Sequence, residues 1–385
     1  MKFLFIVQGE GRGHLTQAIT LENALRHNGH QVVEILVGKS KSRALPDFFN
    51  KNIQAPVQQF VSPNFLPTPA NKRVCLTSSI IYNIIKTPAY ITSMHFINKR
   101  IKETGAEVVI NFYELLTGLT YFFYRPSVPQ ICIGHQYLFL HKDFKFPQNL
   151  SGNKLILKIF TQLTAIGAKE YLALSFHSMD YDEKHHIRVV PPLLRREVFE
   201  QIPKKGNYIH GYMVNSGFSE NILEWHQSHP NISLRFFWDR RNEPKIKNID
   251  QTLSFYQLDD KEFLKQMAGC KAYASTAGFE SVCEAMYLGK PIMMVPAHIE
   301  QECNAFDAAN NGAGIADNNF DLSRLLAFTS TYQPNPEFVE WAKSAEYKIV
   351  NALETLITKE IKPNMYFIEE LLLKSGKHLK KIYNT

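Results

Sequence analysis

Short apolar runs alternate with helically spaced segments along the chain, and prolines interrupt the series near its middle. This pattern narrows the choice of fold more than any other feature. Lys2–Val7 is a continuous apolar run that leads into glycines, as a parallel strand buried on both faces does. Thr16 to His27 follows with Ala18, Leu21 and Leu25 on one helical face, and Gln31–Val37 reads as a second strand. Strand, glycine turn, helix and strand make a βαβ unit that opens a doubly wound sheet. Glu107–Asn111 and Pro129–Ile133 read as further buried strands with a helix between them, Lys154–Tyr171 as a helix, and Ile187–Val190 as a last strand. Pro191-Pro192 and Pro203-Lys204-Lys205-Gly206 mark a linker. Beyond it, strands are expected at Tyr208–Val214, Ile232–Trp238, Thr252–Tyr256, Ala272–Ser275 and Pro291–Val295. Helices between and after them are expected at Glu220–His229, Asp260–Ala268, Glu280–Leu288 and Gln301–Asn311.

The fold class is therefore α/β, with two Rossmann-like, doubly wound domains. Their expected bounds are 1–190 and 207–362, with a linker at 191–206. A basic amphipathic helix is expected within 363–385, packing back on the first domain. A chain of 385 residues is too long for one ordinary core, which agrees with this division.

Composition excludes several classes. No apolar run approaches the roughly 18–20 residues that span a bilayer, and Met1 to Val7 is too short for a signal-peptide core. Cys75, Cys132, Cys270, Cys283 and Cys303 form no C-x-x-C pair, so neither a disulfide framework nor a zinc site is suggested and a cytoplasmic location is expected. Charge is uneven: residues 1–190 hold 21 Lys and Arg against 12 Asp and Glu, a balance of +9, and the rest balances to −2. Such a half suits a phosphorylated acceptor, an anionic lipid surface or nucleic acid, or serves solubility alone. The aromatic, basic segment from Ser78 to Arg100 and the helix near Lys154–Lys158 favour peripheral contact with the inner face of a membrane. The chain carries no recognisable nucleic-acid reading motif, so no nucleic-acid partner is expected. Residues 55–73, rich in proline and asparagine, read as a long surface loop.

Two motifs carry chemistry. Gly9-Glu10-Gly11-Arg12-Gly13-His14 follows the first strand directly. Counted from Gly9 or from Gly11, the third glycine of a dinucleotide fingerprint is missing, which argues against nicotinamide and flavin cofactors. What remains is a glycine turn that delivers a histidine to the rim of the sheet, as a general base or as a solvent-facing helix residue. The second motif is Ser275-Thr276-Ala277-Gly278-Phe279-Glu280-Ser281-Val282-Cys283-Glu284-Ala285, followed by Gly289, Pro291, Pro296, Glu300-Gln301 and Asn304-Ala305. A small-residue turn after a strand leads into a helix whose free N–H groups can hold a diphosphate. Glu284, about a turn further along, can grip two ribose hydroxyls, and Glu300 and Gln301 open the next helix on the same rim.

In these motifs the chain resembles the inverting glycosyltransferases of the two-Rossmann-domain (GT-B) type. Among these it resembles the peptidoglycan N-acetylglucosaminyltransferases that make lipid II and their bacterial and archaeal relatives. The shared pattern is G-x5-E-A, then G-x-P, then P-x-x-x-[DE]-Q-x-x-N-A, together with G-x-G-x-G-H near the N-terminus. The resemblance implies two domains facing across a cleft, an acceptor-binding first domain and a second domain that binds a nucleotide-sugar donor. It implies that Glu284 binds the donor ribose, that Ala277, Gly278 and Phe279 face the diphosphate, and that Glu300, Gln301 and Asn304 contact the donor sugar. Ser216-Gly217 would form a second diphosphate loop, with Gln257-Leu258 facing the base. Gly11, Arg12 and Gly13 would abut phosphate or acceptor, with His14 as the catalytic base. No cofactor and no metal are implied, and the acceptor, not identified by the sequence, could be lipid-linked.

The chain departs from the pattern at Thr276-Ala277, where glycine pairs are common, and at Asn111-Phe112-Tyr113-Glu114, where some relatives carry an aspartate. Glu114 is the acid available there, either to orient the base or take the proton, or to cap a helix. His135-Gln136 follows a buried strand and could line the acceptor side. Asp180-Tyr181-Asp182 reads as a solvated loop rather than a metal motif, and His185-His186 lacks further ligands at metal spacing. Arg195-Arg196 reads as a solvated linker that could reach the diphosphate. A sugar-nucleotide 2-epimerase and a non-catalytic binder of sugar nucleotides or anionic polymers are the competing readings.

Overall fold

The structure, a computed structural model, describes residues 1–40, 45–63, 87–148, 150, 153–213, 216–240 and 242–358. It contains two seven-stranded sheets. The first runs in the order β3-β2-β1-β4-β5-β6-β7, with β1 at Lys2–Gln8, β2 at Gln31–Lys39, β3 at Val57–Val61, β4 at Val108–Phe112, β5 at Gln130–Gly134, β6 at Ala168–Leu174 and β7 at Ile187–Val190. Every pairing in it is parallel. The second has the order β10-β11-β9-β8-β12-β13-β14. Its strands are β8 at Tyr208–Tyr212, β9 at Ser233–Trp238, β10 at Ile246–Asn248, β11 at Leu253–Gln257, β12 at Ala272–Ser275, β13 at Ile292–Met294 and β14 at Gly314–Ala316. Only the edge strand β10 is antiparallel.

The central strands are buried along their length, β4 and β5 at every residue, which is why they read as unbroken apolar runs. In each sheet the winding direction reverses beside the first strand, between β1 and β4 and between β8 and β12. Ligands of open α/β sheets bind outside the carboxyl ends of the strands at such reversals. The glycine turn after β1 and the small-residue turn after β12 both sit there.

Several segments differ from the sequence reading, among them β10, β14 and a short Arg196–Phe199 helix within the expected linker. The helix expected over Lys154–Tyr171 ends at Thr164; the chain then turns at Gly167, whose φ of 80° suits glycine, and residues from Ala168 form β6. The expected loop at 55–73 contains the edge strand β3, and its residues 64–73 lie outside the described ones. The aromatic basic segment is described from Thr87, where a helix runs to Glu103; its residues 78–86, and the whole expected helix within 363–385, lie outside the described residues.

The last described helices cross to the first domain. Trp341, in the Pro336–Lys343 helix, donates its indole N–H to the Ser175 carbonyl at 3.0 Å. The Ala345–Thr358 helix buries Ile349, Leu353 and Leu356 in a cluster shared with Phe3, Leu21 and Leu25, while Glu354 meets His30 at 2.9 Å. The same cluster holds Phe176 of the first domain 4.9 Å from Phe279 of the second, so one apolar core ties both domains together. Among the described residues no helix is long and apolar enough to cross a membrane.

Candidate active site

Gly11 stands in extended backbone before the Arg12–His27 helix and offers it no side-chain cap. His14 lies in the first turn of that helix and faces inward, 8% exposed. Its Nδ1 is 3.2 Å from Gln17 Oε1, and its Nε2 is 3.4 Å from Gln136 Nε2. The ring stacks 5.8 Å from that of Tyr113, a residue with a left-handed φ of 60° whose hydroxyl bonds Thr161 at 2.8 Å. Burial pushes the His14 pKa down to about 4, so the imidazole is neutral near pH 7, the form a general base needs. Gln136 Nε2 also donates to Glu300 Oε1 at 2.8 Å, and Gln136 Oε1, buried, has no partner among the described residues. Burial pushes Glu300 up to about 7.

The second domain meets this cluster with the turn after β12. Ala277 takes a left-handed φ of 59°, and Gly278 caps the Phe279–Tyr287 helix in extended backbone without a side-chain cap. The first turn of that helix thus has no N-cap side chain, an arrangement that suits an anion. Glu280, in the first turn, accepts from Gln17 Nε2 and lies against Gly13, where a Cβ would collide with its carboxylate. Burial, with Glu300 and Glu284 nearby, pushes Glu280 up to about 7.

Glu284 is 4% exposed and is held by both arms of Arg195, Nε to Oε1 at 2.6 Å and Nη2 to Oε2 at 3.0 Å. Arg195 also lies 3.7 Å from Asp260, which pairs with Arg12 at 2.5 Å, and Arg12 covers the Phe48 ring at 4.3 Å. The linker arginine that reads as solvated thus occupies the carboxylate expected to hold a ribose. Gln301 Oε1 accepts from the Ala297 amide at 2.8 Å, and Asn304 Nδ2 donates to the Ala277 carbonyl at 3.3 Å, so both brace the turns that form the rim.

His135 is 1% exposed, with Nδ1 at 2.8 Å from the Leu174 carbonyl and its ring stacked 4.0 Å from Phe279; burial pushes its pKa down to about 4. It is wedged between the domains. Glu114 follows Tyr113, the residue stacked on His14. It caps the Leu115–Tyr124 helix, accepting from the Leu116 amide at 3.0 Å and from Ser62 Oγ at 2.6 Å. Ser216 and Gly217 begin a short 3-10 turn beyond β8. Gln257 donates to the Glu243 carbonyl at 2.5 Å, and Leu258 packs on the core, both at the end of β11. Asp182 bonds His185 at 2.7 Å and the Lys142 amide at 2.9 Å, a local cap. Among the described residues no three His, Cys, Asp or Glu side chains gather as a metal cluster.

The structure thus brings together Arg12, Gly13, His14, His135, Ala277, Gly278, Phe279, Glu284, Glu300, Gln301 and Asn304 at one interface. Glu114 serves as the cap of the Leu115–Tyr124 helix. Sequence reasoning missed Gln17 and Glu280 altogether. Gln17 sits one turn after His14, and Glu280 opens the helix of the second motif; only the meeting of the domains joins them.

The model of glycosyl transferase family 1 matches residues 1–332. Solved structures share the fold at low identity. The glycotransferase of kitacinnamycin is 14% identical over 92% of this chain and 98% of its own, with a TM-score of 0.60. Arabidopsis thaliana UGT89C1 complexed with quercetin is 14% identical over 93% and 99%, with a TM-score of 0.61. LpCGTa in complex with UDP is 12% identical over 93% and 99%, with a TM-score of 0.61. No curated protein sequence matches the chain at a significant level. With a family match across most of its length and two facing Rossmann-like domains, the chain belongs to glycosyl transferase family 1 and is a glycosyltransferase.

Proposed function

We propose that this protein moves a sugar from a nucleoside-diphosphate sugar to an acceptor hydroxyl in a single inverting displacement that requires no metal ion. The observation that carries the reading is the placement of a neutral, buried His14 beside Gly13 and opposite the uncapped start of the Phe279–Tyr287 helix. The acceptor oxygen bonds to the anomeric carbon, the bond from that carbon to the phosphate oxygen breaks, and the hydroxyl proton passes to His14 Nε2. The leaving diphosphate is stabilised by helix N–H groups and by the Arg12 and Arg195 pair, in place of a metal. Glu284 then exchanges Arg195 for the ribose hydroxyls, and Gln136 Oε1, Glu300 and Gln301 meet the sugar hydroxyls. Ser216-Gly217 closes on the diphosphate, and backbone at Gln257-Leu258 faces the base. LpCGTa is in complex with UDP and UGT89C1 with UDP-L-rhamnose, which supports a nucleotide donor.

For the acceptor we favour a lipid-linked molecule at a membrane surface. Leu155 and Ile156, 64% and 56% exposed, stand on the helix that carries Lys154 and Lys158, and Phe122 and Phe123, 43% and 63% exposed, end the Leu115–Tyr124 helix, all within the half that balances to +9. Flotation with anionic against neutral vesicles checks this: binding to neither would remove it.

The donor reading is tested by thermal shift with UDP-, GDP-, CDP- and TDP-sugars in EDTA, with Glu284→Ala alongside. A rise in melting temperature selective for one nucleotide, absent in Glu284→Ala, is expected; at a hundredfold excess over Kd it corresponds to about 2.7 kcal/mol. No shift with any donor would count against the reading.

A further inference from the structure

His14 touches no carboxylate, although an acid is the usual means of fixing which ring nitrogen carries the proton. Both of its nitrogens instead meet glutamine amides, and behind each amide stands a glutamate of the second domain. Gln17 lies between His14 Nδ1 and Glu280 Oε1, and Gln136 lies between His14 Nε2 and Glu300 Oε1. An ionised carboxylate only accepts hydrogen bonds. Each glutamine must therefore turn its NH2 towards its glutamate.

The two consequences agree. With its NH2 turned to Glu280, Gln17 presents its carbonyl Oε1 to Nδ1 at 3.2 Å, so Nδ1 carries the hydrogen. Gln136 has a second N–H aimed at Nε2, so Nε2 keeps its lone pair. Gln17 is 1% and Gln136 6% exposed, so neither amide is free to exchange with bulk water. Gly13 makes the arrangement possible, because a side chain there would expel the Glu280 carboxylate.

We propose that Gln17 and Glu280 are positioning residues for the His14 base, holding its proton on Nδ1 across the domain interface so that Nε2 keeps a lone pair, which the acceptor hydroxyl takes over from the Gln136 N–H. The inference rests on His14 as the base. When Nε2 takes the acceptor proton, the positive charge shared with Nδ1–H is stabilised through the Gln17 carbonyl, whose amide end is anchored on Glu280. Because His14, Gln17 and Gln136 belong to the first domain and Glu280 and Glu300 to the second, the base is set only while the domains are together.

The groups facing the ring are Gln17 from its own helix, Tyr113 from the end of β4 and Gln136 from beyond β5, with Glu280 and Glu300 behind the amides and Glu284 beside Glu280. Burial holds His14 near 4 and Glu280 and Glu300 near 7. Acidification below about 7 therefore reaches the glutamates first. A protonated Glu280 donates to Gln17 Oε1, the amide turns over, and Nδ1 loses its acceptor. The acid limb of turnover belongs to the acids and not to the histidine.

The experiment is the pH profile of kcat and the donor KM for wild type, Glu280→Gln and His14→Ala, with the nitrogen-15 spectrum of His14 in the wild type. Glu280→Gln, whose amide fits Gln17 in either orientation, is expected to lower kcat by less than the loss of the base itself, which is about 10²–10⁴. Its acid limb moves below that of the wild type. In the wild type Nδ1 is protonated and Nε2 bare at pH 8, a readout that needs no variant. A Glu280→Gln enzyme that changes only KM and keeps the wild-type profile would make the contact a domain latch and overturn the proposal, as would the opposite tautomer at pH 8. Undiminished turnover in His14→Ala would instead remove the reading of His14 as base, so the two failures are told apart.

Discussion

Buried carboxylates dominate the pH response at the residue scale. Glu114 is fully covered, and burial pushes it from 4.5 up to about 7. A carboxyl whose folded pKa is raised favours folding while protonated, and that contribution is lost as pH climbs from about 4.5 through about 7. At about 1.4 kcal/mol per tenfold in proton affinity, the ceiling is about 3 kcal/mol. Glu114→Gln can still accept from Leu116 and does not ionise. Its stability relative to wild type should therefore rise between pH 5 and pH 8, read from urea midpoints; a difference that stays constant with pH would contradict this account. His14 and His135 act in the opposite sense, since their depressed values remove stability as pH falls from 6.5 towards about 4. At this scale the sequence made His14, Glu284 and Glu300 legible because they stand at fixed spacings in motifs. Gln17, Glu280 and Arg195 were not legible, because each acts through a partner distant in sequence.

At the scale of elements, the turn between β12 and the Phe279–Tyr287 helix carries strain. Ala277 sits at a left-handed φ that costs a residue with a Cβ roughly 1–2 kcal/mol. Glycine would remove that cost and add about 0.4–1 kcal/mol of unfolded-chain entropy. Ala277→Gly should raise the stability slightly, by about 1 kcal/mol or less, read from urea midpoints; a clear loss would show that the Ala277 methyl matters more to packing than its backbone does to strain. The departure from glycine seen in the sequence is thus accommodated and not repaired. Central strands were legible because burial on both faces leaves few polar positions, Asn111 in β4 and Gln130 in β5 among them. β6 was not, because Lys169 and Glu170 interrupt it, and Glu170 is hidden by its ion pair with Arg188 at 2.6 Å. β14, three residues long, is too short to show a period.

At the scale of the whole molecule, two sheets meet through a set of side chains that neither would hold alone. The Ala345–Thr358 helix completes the first domain with residues from the end of the described chain, a crossing that alternation of strands and helices does not reveal. Catalysis in this account needs the assembled interface: a neutral base from the first domain, and an anion cradle and acids from the second. The most direct measurement is transfer from the donor found by thermal shift, in EDTA, with the anomeric configuration of the product followed by NMR for wild type and His14→Ala. The account predicts inverted product from the wild type without added metal, and a fall in kcat of about 10²–10⁴ in His14→Ala with donor binding retained. Retained configuration, or full turnover by His14→Ala, would contradict it.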